Sequence, residues 1–150
     1  MQKTRRKALK SLLQEKVVNI ADYRTLKTGR GPRRLALVTT DAVLASALEE
    51  LLKSNVEVHK FDSRFSLEQG LKNSEWDGVI LDERTLRDDT LSLCEKLKRQ
   101  NKMEELVVLI LSANVTKEVV KEGFEKGCDE WVTKFDDANY LARLVQQHLN

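Results

Sequence analysis

Four polar clusters in this 150-residue chain, each directly following a short apolar run, carry the residue types that could do chemistry. Thr39-Thr40-Asp41 follows residues 35–38, Asp82-Glu83-Arg84 follows 78–81, Ser112-Ala113-Asn114 follows 106–111, and Lys134-Phe135 follows 131–133. If the runs are neighbouring parallel strands, an acid (Asp82), a hydroxyl (Ser112) and a lysine (Lys134) converge at their carboxyl ends, where open α/β sheets keep their sites. The plain structural reading of that set is an Asp82–Lys134 ion pair that fixes a loop, with Ser112 donating a hydrogen bond to a neighbouring loop. The other reactive residue types point away from metal and thiol chemistry. Cys94 and Cys128 make no CxxC pair, and His59 and His148 stand alone, which excludes a zinc motif or a disulfide framework and predicts two buried free thiols. His148 is expected at a solvated helix end. No glycine-rich loop follows the first run, which disfavours a nucleotide-dependent enzyme.

The elements that must position these residues are legible in the hydrophobic pattern. With 41% apolar and 33% charged residues the chain has the make-up of a soluble globular protein, with room for one domain and an appendage. Apolar runs lie at 35–38, 56–61, 78–81, 106–111 and 131–133. Helical stripes alternate with them: Val43, Leu44, Ala47, Leu48, Leu51 and Leu52, then Leu67 and Leu71, then Leu91, Cys94 and Leu97, then Val119, Val120 and Phe124, then Tyr140, Leu141, Leu144 and Val145. Asp41 is placed to cap the first helix, and Ser66 followed by Gln69 predicts a capping box for the second. Strict β-α alternation predicts a doubly wound five-stranded parallel sheet with helices on both faces and strand order 2-1-3-4-5.

The charge divides the chain. Residues 1–34 carry a net +9 and residues 35–150 a net −7, and the single proline, Pro32, stands in a Gly/Pro/Arg segment at the change of sign. A basic N-terminal arm and linker is therefore expected over 1–34, with a short amphipathic helix carrying Leu9, Leu12, Leu13 and Val17 among Lys3, Arg5, Arg6, Lys7 and Lys10. Three partners suit such an arm: the acidic domain of the same chain, another protein, or nucleic acid or an anionic membrane surface. The absence of interleaved aromatics ranks a protein contact ahead of nucleic acid. No run is long enough to span a membrane and no secretory signal is expected, so a cytoplasmic location follows.

Three segments, in register, carry a resemblance. Trp76-Asp77-Gly78-Val79-Ile80-Leu81-Asp82, Leu109-Ile110-Leu111-Ser112-Ala113 and Gly127-Cys128-Asp129-Glu130-Trp131-Val132-Thr133-Lys134 resemble the receiver domain of two-component response regulators over about residues 34–149. The resemblance implies a flavodoxin-like fold and a protein of phosphorelay signal transduction. It makes Asp82 the phospho-acceptor, Ser112 and Lys134 the groups that contact a phosphoryl, and Trp131 the aromatic switch that couples the acceptor to the partner surface. That surface is the face from Lys117 to Leu149, and a histidine kinase is the implied upstream partner.

This sequence departs from the family where the metal would bind. Thr39 and Thr40 stand where the family has two acids that hold Mg²⁺, leaving Asp41 and Asp82 as weak candidate ligands. Leu86 and Phe135 replace two of the family's prolines. The leading expectation is thus a degenerate pseudo-receiver: a non-enzymatic protein-binding module, without cofactor, that contacts its partners largely independently of phosphorylation. A working phospho-acceptor, modified on Asp82 with Mg²⁺, is the alternative, and an adaptor that binds nucleic acid through its arm is a third. No output domain is expected beyond Asn150, and a signal is expected to leave through this domain or its arm.

Overall fold

The computed structural model describes residues 31–72, 75–100, 106–133 and 135–149. The arm helix expected within residues 1–30, and Lys134, lie outside the described residues.

Strands covered on both faces need apolar side chains at both parities, and the short runs supply them. In β1 (Arg33–Val38), Leu35 and Leu37 enter one core while Ala36 and Val38 enter the other. The same split recurs in β3 (Gly78–Asp82), with Ile80 against Val79 and Leu81, and in β4 (Val107–Leu111), with Leu109 and Leu111 against Val108 and Ile110. Helix α1 (Ala42–Leu52) closes the first core with Leu44, Leu48 and Leu52. After β2 (Val56–Phe61), helix α2 (Arg64–Leu71) brings Leu67 to the second core. A single turn, α3 (Glu83–Leu86), leads into α4 (Asp89–Gln100), which adds Leu93, Cys94 and Leu97 to that core. Helix α5 (Lys117–Glu125), strand β5 (Glu130–Val132) and helix α6 (Ala138–Leu149) complete the order, with Leu141, Val145 and Leu149 of α6 in the first core. Each fully buried leucine contributes about 1.5–3 kcal/mol by leaving water.

The sheet is parallel throughout, in the order β2-β1-β3-β4-β5, as the alternation predicted. The chain leaves β1 toward β2 and then returns past it to β3, so a topological switch point opens between the carboxyl ends of β1 and β3. Val38 pairs with Leu81 there, which sets Thr39 beside Asp82. At the opposite end carboxylates stitch the strand starts. Asp77 accepts from Arg34 N at 2.8 Å, and Asp129 accepts from Val108 N at 2.8 Å and from Lys98 Nζ at 3.0 Å. Gly127 has φ 103°, and a Cβ there would stand 3.0 Å from the Lys98 side chain, so the α5–β5 turn calls for glycine.

Asp41 caps α1 as expected, its Oδ1 accepting from Leu44 N at 3.0 Å. The capping box of α2 lies one turn earlier than the sequence suggested: Ser63 is the N-cap and Ser66 its N3 partner, because β2 ends at Phe61 and the helix starts at once. Val43 is 81% exposed and Leu51 39%, since a helix lying on a sheet buries only one narrow face, here that of Leu44, Ala45, Leu48 and Leu52. Phe124, expected in the core, is 49% exposed, because α5 turns Gly123 onto Trp131. His148 is not simply solvated; its Nε2 lies 3.2 Å from Glu130 Oε1 and ties α6 to β5. Cys94 and Cys128 are buried free thiols, as predicted. No helix among the described residues is long and apolar enough to cross a membrane.

Candidate functional site

At the switch point Asp82 is 1% exposed and fully engaged. It is the last residue of β3 and the N-cap of α3, so its Oδ1 accepts from the backbone N of Arg84 at 3.0 Å. The same short turn swings the Arg84 side chain back over the carboxylate. Arg84 Nε donates to Oδ1 at 3.0 Å and an Arg84 terminal nitrogen donates to Oδ2 at 2.8 Å, a two-pronged pairing matched to carboxylate geometry. Thr39 Oγ1 donates to Oδ2 at 2.7 Å from the end of β1.

The guanidinium is held from further sides. It reaches Asp41 Oδ2 at 3.4 Å and lies 4.5 Å from the centre of the Phe135 ring, a cation–π contact. The hydrogen bond to Asp82 pushes the Arg84 pKa above its ordinary value, so the charge is permanent. Asp41 is held below the usual carboxylate range, first by the Leu44 N–H and further by Arg84. Thr40 faces the other way: its backbone N donates to Thr85 Oγ1 at 3.0 Å, and the two hydroxyls lie 3.3 Å apart.

Ser112, fully buried at the end of β4, belongs to a second set of contacts. Its Oγ donates to Glu83 Oε1 at 2.9 Å and accepts from Asn114 N at 3.0 Å. The Trp131 indole Nε1 donates to the Asn114 carbonyl at 2.9 Å. The Trp131 ring also lies so close to Gly123 that a Cβ there would stand 2.6 Å from it.

The sequence-expected residues Thr39, Asp41 and Asp82 are thus in contact or joined through Arg84, and Ser112 sits one residue removed, on Glu83. Lys134 lies outside the described residues; among those described, Arg84 is the cation on Asp82. Sequence reasoning named Glu83, Arg84 and Asn114 within these clusters but gave them no role. Part of the signal for Arg84 was present, since an Asp that ends a strand and caps a helix accepts from the backbone N–H two residues on, which brings residue 84 beside the carboxylate.

Residues 35–146 match the response regulator receiver domain family. The DNA-binding dual master transcriptional regulator RpaA of Synechocystis sp. is 28% identical over 105 residues, which span 65% of this chain and 43% of that protein. This chain therefore spans less than half the length of that curated relative. The BeF3-activated receiver domain of DrrB, an OmpR/PhoB homologue of Thermotoga maritima, superposes with a TM-score of 0.68 at 25% identity, covering 79% of this chain and 97% of that one. An orphan response regulator of H. pylori superposes with a TM-score of 0.69 at 24% identity over 81% of this chain and 99% of that one, a likeness of fold. With a parallel sheet in the order 2-1-3-4-5 and an aspartate at its switch point, the chain belongs to the response regulator receiver domain family.

Proposed function

We propose that this receiver is a signalling module that binds protein partners in one largely fixed state, with Arg84 serving as a built-in counter-ion in place of metal-dependent phosphorylation. The observation that carries the reading is the two-pronged Arg84 contact with buried Asp82. Phosphoryl transfer to a carboxylate needs a free oxygen as nucleophile and cations that neutralise the charge developing on the phosphoryl oxygens. Here both oxygens of Asp82 accept from Arg84, and Oδ2 also accepts from Thr39.

Mg²⁺ does not fit the residues present. Asp82 and Asp41 both contact the Arg84 guanidinium, Glu83 accepts from Ser112, and Thr39 and Thr40 offer only neutral hydroxyls to an ion that favours anionic oxygen. Partner contacts are assigned to the face from Lys117 to Leu149, which carries Trp131 and the exposed Phe124, and to the basic arm that precedes β1. The likeness to a DNA-binding transcriptional regulator supports a place in transcriptional control.

The test is incubation with acetyl phosphate and Mg²⁺, read by intact mass and by peptide mapping of Asp82. The natural sequence is expected to gain no phosphoryl group, whereas the triple variant Thr39→Asp, Thr40→Asp, Arg84→Asn should gain one. A hydrolysable acyl phosphate on Asp82 of the natural sequence would overturn the proposal.

A further inference from the structure

A continuous hydrogen-bond chain joins the acceptor loop to the aromatic of the partner face. It runs from Glu83 Oε1 to Ser112 Oγ (2.9 Å), from Ser112 Oγ to Asn114 N (3.0 Å), and from the Asn114 carbonyl to Trp131 Nε1 (2.9 Å). We infer that Glu83 is a positioning residue that holds the Ser112 hydroxyl in place of a phosphoryl oxygen and thereby fixes the orientation of Trp131.

Each link is constrained. Ser112 is fully buried, and its one hydroxyl proton must go to an acceptor, because an unpaired buried donor carries its whole desolvation cost. Glu83 supplies that acceptor from the first turn of α3. With its proton committed to Glu83, the hydroxyl turns a lone pair toward Asn114 N and sets the path of the β4–α5 loop. Asn114 Oδ1 accepts from Thr116 N at 3.1 Å and pins the same loop to the start of α5. The Asn114 carbonyl then faces the indole, while Gly123 closes the opposite side of the ring. Two close neighbours leave the bulky ring a single orientation.

The charge pattern fits an internal stand-in for the modified state. Arg84 supplies a fixed cation on Asp82, and one residue earlier Glu83 supplies a fixed anion to Ser112. Consecutive residues of one turn thus provide both charges that would otherwise arrive with a metal ion and a phosphoryl group. The inference rests on the reading that Asp82 stays unmodified, and it identifies what holds the fixed state.

The experiment uses the full chain labelled with ¹⁵N, without metal or phosphodonor, and follows the two indole N–H signals, of which Trp76 serves as the internal control. Glu83→Leu, which removes the acceptor, should shift or broaden the Trp131 signal and leave that of Trp76 in place. Ser112→Ala should produce the same change, and the double variant no more than either single one. Glu83→Gln keeps an acceptor oxygen and should restore the natural signal. An unchanged Trp131 signal in Glu83→Leu, or independent and additive shifts in the two single variants, would overturn the relay. If Glu83→Leu also displaces the Trp76 signal, Glu83→Gln decides: a natural spectrum supports the relay and an altered Trp131 signal refutes it. Failure of the proposed function would show elsewhere, as phosphorylation of the natural sequence when a phosphodonor is added.

Discussion

Removing the guanidinium from Asp82 should cost more than removing any exposed charge of the domain. The informative substitution is Arg84→Met, which keeps an apolar stem over Phe135 and deletes the two side-chain hydrogen bonds of 3.0 and 2.8 Å. Charge-assisted bonds contribute about 1.5–3 kcal/mol each. The Arg84 side chain is 45% exposed, so solvent screening places them at the lower end of that range. The carboxylate left behind is buried, with Thr39 Oγ1 and the Arg84 backbone N as its remaining partners among the described residues, which adds the penalty of a poorly compensated charge. The expected loss is about 2–4 kcal/mol at neutral pH, or roughly 6–15 °C in Tm for a domain of this size. Urea unfolding of the natural sequence, Arg84→Met, Asp82→Asn and the double variant forms the cycle that isolates the pair. Deleting the Asp82 charge should recover most of the Arg84→Met loss, with a coupling of about 2 kcal/mol. A coupling within about 0.5 kcal/mol of zero would refute the claim that Arg84 is the structural counter-ion of Asp82.

The remaining predictions concern the cap and the thiols. Asp41→Ala should destabilise the domain by about 1 kcal/mol through loss of the α1 cap. The folded Asp41 carboxyl lies below its ordinary value of 3.8, chiefly through the Leu44 N–H, so its contribution is complete above that value and is lost as the pH falls through the folded pKa. Asp41→Asn, which still caps, should flatten that part of the acid limb in unfolding curves measured from pH 6 to 2.5; an unchanged limb would contradict the assignment. Burial pushes the Cys94 thiol up to about 11 and the Cys128 thiol up to about 12. At pH 8 neither should react with a disulfide reagent until denaturant is added, and rapid labelling of the native protein would show that the second core opens there.

The sequence by itself determined the layered parallel sheet, its strand order, the cap at Asp41, the buried thiols and the gathering of Thr39, Asp82 and Ser112 at one edge. These follow from local periodicity and from the handedness of crossovers, which leave few arrangements once five apolar runs alternate with five stripes. Tertiary structure decided what the gathered residues touch. Asp82 also pairs with Arg84, a partner the sequence reading did not name, because the turn of α3 closes on the strand end and Phe135, more than fifty positions away, lies against the guanidinium. Ser112 was expected to donate to a neighbouring loop, and it donates instead to Glu83 in the first turn of α3; which acceptor it meets depends on how β4 aligns with β3, where Leu111 pairs with Asp82. The outward turn of Val43 and Phe124 was equally hidden, since a stripe of apolar residues says that a helix packs but not how wide a face its partner covers. Side-chain pairing at the switch point is set by the last few ångströms of approach between segments distant in sequence, and only the folded chain fixes those.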